Sequence, residues 1–212
     1  MYAQAKLPLI SIVFSLSCAI TAEARPVGQI TRIVGNVTVE EKAISDNSAL
    51  GLPLHSGDKI STGANARLEL KLRDGSVITL GENTQFRIQK YNYSPRRGIG
   101  QALFDLVKGV FRAVSGAISH VRKPVFEVHT THGMIGIRGT DFWGGFHFGN
   151  ELSVLLFNGR GVYVRNMAGM VELTQIGEGT NVKSQTIAPE PVRIWGQNKI
   201  DAAQASVAWP IP

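Results

Sequence analysis

The chain has 212 residues, a formal net charge of +6 and a single cysteine, Cys18. One cysteine near the N-terminus excludes a disulfide framework and thiolate chemistry from the body of the protein. The basic balance suits anionic surroundings such as lipid headgroups, polysaccharide, peptidoglycan or nucleic acid. The basic residues are spread along the chain, apart from Arg96-Arg97 and Arg122-Lys123.

The N-terminus reads as an export signal over residues 1–24. Lys6 supplies the positive charge, Leu7 to Ile20 form an apolar run, and Ala22-Glu23-Ala24 gives the small-x-small pattern of a cleavage site. The run is too short and too rich in serine to span a bilayer, which takes about 20 apolar residues. Ser15-Leu16-Ser17 places its leucine too close to Cys18 for lipid attachment. Cleavage after Ala24 leaves enough chain for one domain, with no transmembrane segment and with localisation to the periplasm or beyond the outer membrane.

From residue 25 onward the sequence repeats one grammar, short alternating strands around a glycine. Ile30 to Val39, centred on Gly35-Asn36, is the first copy and predicts an N-terminal strand hairpin within residues 25–50. Leu68 to Leu72, the turn Arg73-Asp74-Gly75-Ser76 and Val77 to Leu80 form the clearest copy. Leu152 to Leu156 before Asn158-Gly159, with Val162 to Val164 after it, is the third, and Val171 to Gly177 opens a fourth. Side chains alternate across a strand, so Leu68, Leu70, Leu72, Val77, Leu80, Val154, Val162 and Val164 are the expected core. Asp-Gly and Asn-Gly tolerate the positive φ of tight turns. The fold class is therefore mainly β: stacked hairpins in a β-sandwich or an irregular β-solenoid, with at most one or two short helices.

Residues 101–121 carry two patterns. Leu103, Leu106, Val107, Val110, Phe111 and Val114 make a helical stripe, whereas Gly109 and Gly116 disfavour a helix by about 1 kcal/mol each and favour strands. Residues 92–100 read as a loop. Residues 184–212, with Pro189, Pro191, Pro210 and Pro212, predict an extended tail anchored by Trp195.

Leu54 to Gly63, and within it Gly57-Asp58, resembles the L-x-x-G-D-x-I-x-T-G signature that opens FecR domains. Asp74 to Gly81 looks like the D-G-S turn that follows, and Gly136-Ile137-Arg138-Gly139-Thr140-Asp141-Phe142 resembles the family's second hallmark, G-I-R-G-T-x-F. The resemblance covers residues 51–183. It implies a periplasmic β module used for binding or scaffolding. The family's founding regulators carry a cytoplasmic segment that handles a sigma factor, then a membrane span. This chain has the leader in that place and only a short segment after Lys183, so the sigma-regulating role is not carried over.

The residues with site character are Gly57, Asp58, Gly75, Gly136, Arg138, Gly139, Thr140 and Asp141, with Trp143 and Trp195 as partner-contact candidates. Asp58 is expected to cap backbone N–H groups in a turn. Arg138, between two glycines, is expected to act as an internal clamp on carbonyls or on Asp58 or Asp141, with anion binding as the competing role. Phe142, Phe146 and Phe148 share parity and should face the core together, with Trp143 opposite unless Gly144-Gly145 breaks the register. His129, His132, His147 and Asp141 are metal-capable residue types, but the spacing of His129 and His132 sends them to opposite faces of a strand, so no metal and no cofactor is expected. The chain has no phosphate loop and no nucleophile elbow. It also lacks a nucleic-acid reader motif. The expectation is a non-enzymatic envelope module that contacts another envelope protein, with glycan or peptidoglycan binding as the alternative and a metal-dependent hydrolase as the enzymatic competitor.

Overall fold

The computed structural model describes residues 25–44 and 47–210. The expected leader, with Cys18, lies outside the described residues. In chain order the strands are β1 (Gly28–Val34), β2 (Val37–Val39), β3 (Lys42–Ile44), β4 (Pro53–Leu54), β5 (Lys59–Thr62), β6 (Arg67–Leu72), β7 (Val77–Leu80), β8 (Gln85–Ser94) and β9 (Ile99–Lys108). They continue with β10 (Val110–Val114), β11 (Lys123–Thr130), β12 (Met134–Ile137), β13 (Thr140–Gly145), β14 (Leu152–Gly159), β15 (Val162–Arg165), β16 (Met170–Leu173), β17 (Glu178–Val182) and β18 (Arg193–Ile194). One α-helix, α1 (Gln197–Ala205), follows.

The strands form two nine-stranded sheets. The first has the order β18-β17-β14-β13-β10-β7-β6-β1-β4, and the second β16-β15-β12-β11-β9-β8-β5-β2-β3. Inward-facing side chains from both sheets, among them Leu68, Leu70, Ile78 and Leu80 from the first and Ile60, Phe86, Phe104 and Val128 from the second, merge into one core. This is a β-sandwich, mainly β as the alternating pattern predicts. The stretch 101–121 resolves to strand: β9 and β10, then a 3₁₀ turn at Ala117–His120. Nearly all neighbouring strands run antiparallel, but β9 and β11 pair in parallel because β10 crosses to the other sheet between them.

The glycines do more than close hairpins. The Arg73-to-Ser76 turn does join paired neighbours, β6 and β7. The expected hairpins at Gly35, at Asn158-Gly159 and at Gly177 are instead corners that carry the chain from one sheet to the other: β1 to β2, β14 to β15, and β16 to β17. Hairpin turns and tight corners both draw on backbone conformations that glycine supplies, so residue type alone does not separate them. At Gly109, between β9 and β10, φ is +84° and a Cβ would collide with the Thr84 backbone, so the corner requires glycine. Strand parity also corrects one core residue. Ile78 points inward and Val77 is half-buried on the opposite face.

The expected extended tail is folded. Residues 197–205 are helical because the prolines stop at 191 and resume at 210, while Ala202, Ala203 and Ala205 favour helix. Ile200, Ala203 and Val207, at helical spacing, pack on the outer face of the first sheet with Val110, Trp143, Leu155 and Trp195. Ring stacking of Arg32 on Trp209, 4.0 Å from guanidinium carbon to ring centroid, then brings the end of the described chain to β1.

Candidate functional site

The outer face of the first sheet is where unlike side chains gather. Its registers place Arg32 opposite Glu69, Glu69 opposite Thr79, Thr79 opposite Arg112, Arg112 opposite Trp143, Trp143 opposite Leu155, and Leu155 opposite Gly179. Residues in register share a face, so this is one row crossing the sheet. The row is polar from β1 to β10 and apolar from β13 to β17. α1 lies over the apolar half. Trp195 sits flat against Gly179, where a Cβ would overlap its ring, and Trp143 is fully buried beneath the helix. The Trp143 indole N–H donates to Ser206 Oγ at 2.9 Å, and Ser206 Oγ donates to the Ala203 carbonyl at 2.7 Å.

Three clefts border the helix. One, of about 460 Å³, keeps the polar half of the row open, lined by Arg32, Glu69, Thr79, Arg112, Gln204 and Trp209. Arg112 is fixed there by a two-pronged pair with Asp141, Nε to Oδ1 at 2.8 Å and Nη2 to Oδ2 at 2.6 Å. Those bonds hold its pKa above the ordinary value against the opposing effect of burial. A second cleft, of about 490 Å³, contains Asn181, Glu190, Trp195 and Lys199. Lys199 Nζ lies 3.8 Å from the Trp195 ring centroid and 4.9 Å from that of Phe148, and it donates to Asn181 Oδ1 at 3.1 Å. Burial pushes its pKa down. The Asn181 amide, donating to Glu190 Oε2 at 2.9 Å, holds that carboxylate below its usual range. The third cleft, of about 700 Å³, is lined by Asn83, Lys108, Thr131, His132, Phe146 and His147 among others.

The residues singled out from sequence fall elsewhere or play other parts. Gly57-Asp58 forms a turn in which the Asp58 carboxylate accepts the His55 N–H at 2.8 Å. Gly75 closes the β6–β7 hairpin. Gly136 lies beneath the Tyr163 ring. Gly139 and Thr140 shape a corner, where the Thr140 hydroxyl donates to the Gly161 carbonyl at 2.8 Å. Arg138 is not an internal clamp. Its side chain is 65% exposed and reaches Glu172 at 3.3 Å, because Gly139 turns the chain from β12 into β13 and leaves Arg138 outside. The clamp on Asp141 is Arg112. Trp143 and Trp195 are both buried against α1 rather than presented outward. Phe142 joins the inter-sheet core and Phe146 packs against it, whereas Phe148 joins Trp143 on the opposite side, since the chain leaves strand geometry after Gly145. The histidines separate. His129 pairs with Glu127 at 3.1 Å, His132 abuts Phe146, and His147 abuts Trp143 and Phe148. Among the described residues no three metal-capable side chains converge.

Sequence reasoning missed Arg32, Arg112, Lys199 and Trp209. The parity of Arg112 against Phe111 and the Ile200-Ala203-Val207 stripe were the signals available. Which strand lies beside which was not, and that pairing makes the row.

Residues 58–160 match the family described as FecR protein. Two crystal structures of a proposed anti-sigma factor from Parabacteroides distasonis share the fold, each at 18% identity, with TM-scores of 0.54 and 0.51. In both, the match covers 68% of this chain and 62% of the other, so the chain spans less than two thirds of those proteins. Comparison with curated proteins finds no match. The two hallmark turns and the family match agree on a FecR domain in this chain, matched over residues 58–160.

Proposed function

We propose that this chain is a non-catalytic, exported binding module of the bacterial envelope that contacts another envelope protein in signalling or regulation. The observation that carries the reading is the half-covered row on the first sheet. α1 occupies its apolar half and leaves a groove lined by the hydrogen-bonding groups of Arg32, Thr79, Arg112 and Gln204, with Arg112 fixed by Asp141, beside the Trp209 ring. Aromatic and arginine side chains around a cleft are the composition of protein-recognition hot spots. The FecR domain supports a regulatory role, and the fold is shared with a protein proposed to be an anti-sigma factor, a class of regulator defined by the protein it binds.

The test is site-directed photocrosslinking in producing cells. A photoreactive residue replacing Thr79, inside the groove, is expected to give a discrete adduct with one envelope protein, and Arg32→Glu should abolish it. The same residue replacing Gln89, exposed on the second sheet, should give none. Identical adducts from both positions, or none from Thr79, would remove the groove as the contact.

The 700 Å³ cleft favours glycan binding as a second reading, because it sets the rings of Phe146, His132 and His147 beside the polar groups of Asn83, Thr131 and Asn150. Sedimentation with purified sacculi tests it, and a chain that stays in the supernatant excludes it.

A further inference from the structure

We infer that the end of the second sheet formed by the β8–β9 hairpin tip and the start of β11 is a docking site for an anionic lipid surface. Two basic dipeptides far apart in sequence meet there. Arg96 and Arg97 lie in a 3₁₀ turn at the hairpin tip, closed by Gly98. The tip pairs Ser94 with Ile99, and the parallel pairing of β11 on β9 sets Lys123 opposite that same Ile99. A Cβ placed on Gly98 would lie 3.7 Å from the Arg122 Cβ, so the second dipeptide adjoins the first. All four cations are exposed, and none forms an ion pair with a described carboxylate. Arg73, stacked over the Tyr91 ring at 5.5 Å, continues the basic surface along the neighbouring edge. Asp74, next to Arg73 in the chain, is turned inward onto Tyr91, Ser76 and Ile118, so its charge is not offered to these cations.

Charge alone would suit any polyanion. The lipid assignment rests on what lies among the charges. Ile99 is 37% exposed at the centre of the four cations, and Pro95 is exposed at the tip. Long basic side chains around a short apolar point can keep their heads at the phosphate level while the apolar group enters the acyl boundary.

The test uses the full chain with vesicles of phosphatidylcholine and with vesicles that also contain phosphatidylglycerol, reading the ratio of the two partition coefficients. A contribution of the N-terminal apolar run to binding enters both and cancels. The ratio should exceed one and fall with added salt. Each double variant, Arg96→Gln with Arg97→Gln and Arg122→Gln with Lys123→Gln, should lower it on the order of 25-fold, about 5-fold per charge. Ile99→Ser should weaken vesicle binding while leaving binding to a sulfated polysaccharide unchanged. These side chains are exposed, so unfolding midpoints should match the parent chain, and a variant that fails this check is replaced by the single substitution Arg97→Gln. Equal binding of the parent chain to both vesicle types, or a ratio unmoved by both double variants, overturns the proposal. An Ile99→Ser chain that binds vesicles undiminished, or a parent chain that prefers duplex RNA or the polysaccharide to the vesicles, assigns the site to a polyanion and overturns the lipid reading.

Discussion

Asp74 is a carboxylate at 6% exposure that is held by neutral donors: the Tyr91 hydroxyl at 2.9 Å, the Ser76 hydroxyl, and the Ile118 N–H at 3.1 Å. Tyr91→Phe removes one donor to a buried charge and should cost about 1–3 kcal/mol in denaturant unfolding. Burial, then the negative charge of Asp74, raises the pKa of the Tyr91 phenol far above its ordinary value. The folded chain therefore keeps a proton that the unfolded chain releases. That contribution to stability is complete below the unfolded value, about pH 10, and drains away as the pH rises beyond it. Alkaline destabilisation should accordingly be shallower in Tyr91→Phe than in the parent chain. A second pair of substitutions separates the two arginines. Arg112→Ala should lower stability by about 1 kcal/mol, the upper end for a partly exposed pair. Arg138→Ala should stay within about 0.5 kcal/mol. Thermal melts of both decide it, and a larger loss at Arg138 would return it to the clamp role. The turn chemistry of Asp58 and of Asp74-Gly75 was legible in sequence because it is local. The partners of Asp74 and Asp141 were not, since Tyr91 lies 17 residues from Asp74 and Arg112 lies 29 from Asp141.

Alternation identified β1, β2, β6, β7, β14 and β15, because a half-buried strand must repeat every second residue. It could not say which sheet a strand joins, so corners at Gly35, Gly159 and Gly177 looked like hairpins. Where both faces of a strand are covered, alternation fades. Val154 to Phe157 is an unbroken apolar run because Val154 and Leu156 face the inter-sheet core while Leu155 and Phe157 pack on the side of α1. The helix itself was hidden by its flanking prolines, although its alanines and its three-residue apolar stripe were present. Its anchoring can be measured. Trp195→Ala should cost about 3 kcal/mol, as expected for a large buried aromatic. A chain ending at Ile194 should bind a hydrophobic dye and show red-shifted Trp143 fluorescence, since both expose the apolar half of the row. Unchanged fluorescence in the shortened chain would mean that another segment covers it.

Across the whole molecule, both sheets grow in nearly sequence order from the β1–β5 edge to the β15–β18 edge. Among the described residues no helix is long and apolar enough to cross a bilayer. Export is tested at the N-terminus: sequencing of the protein recovered from the periplasmic fraction should begin at Arg25, and recovery from the cytosol with Met1 or Tyr2 first would exclude it. The closing segment breaks the sequential order, running from Trp195 over β17 to Trp209 on Arg32 of β1. A chain threaded from its N-terminus can lay down each strand pair as it emerges, but this stitch is drawn only once residues 195–209 are available. Until then Trp143 and Leu155 stay bare, a window in which a chaperone or another chain can seize them. Once the stitch is made, tension that would peel the sheets apart from their late edge must first tear a seam fastened to their early one.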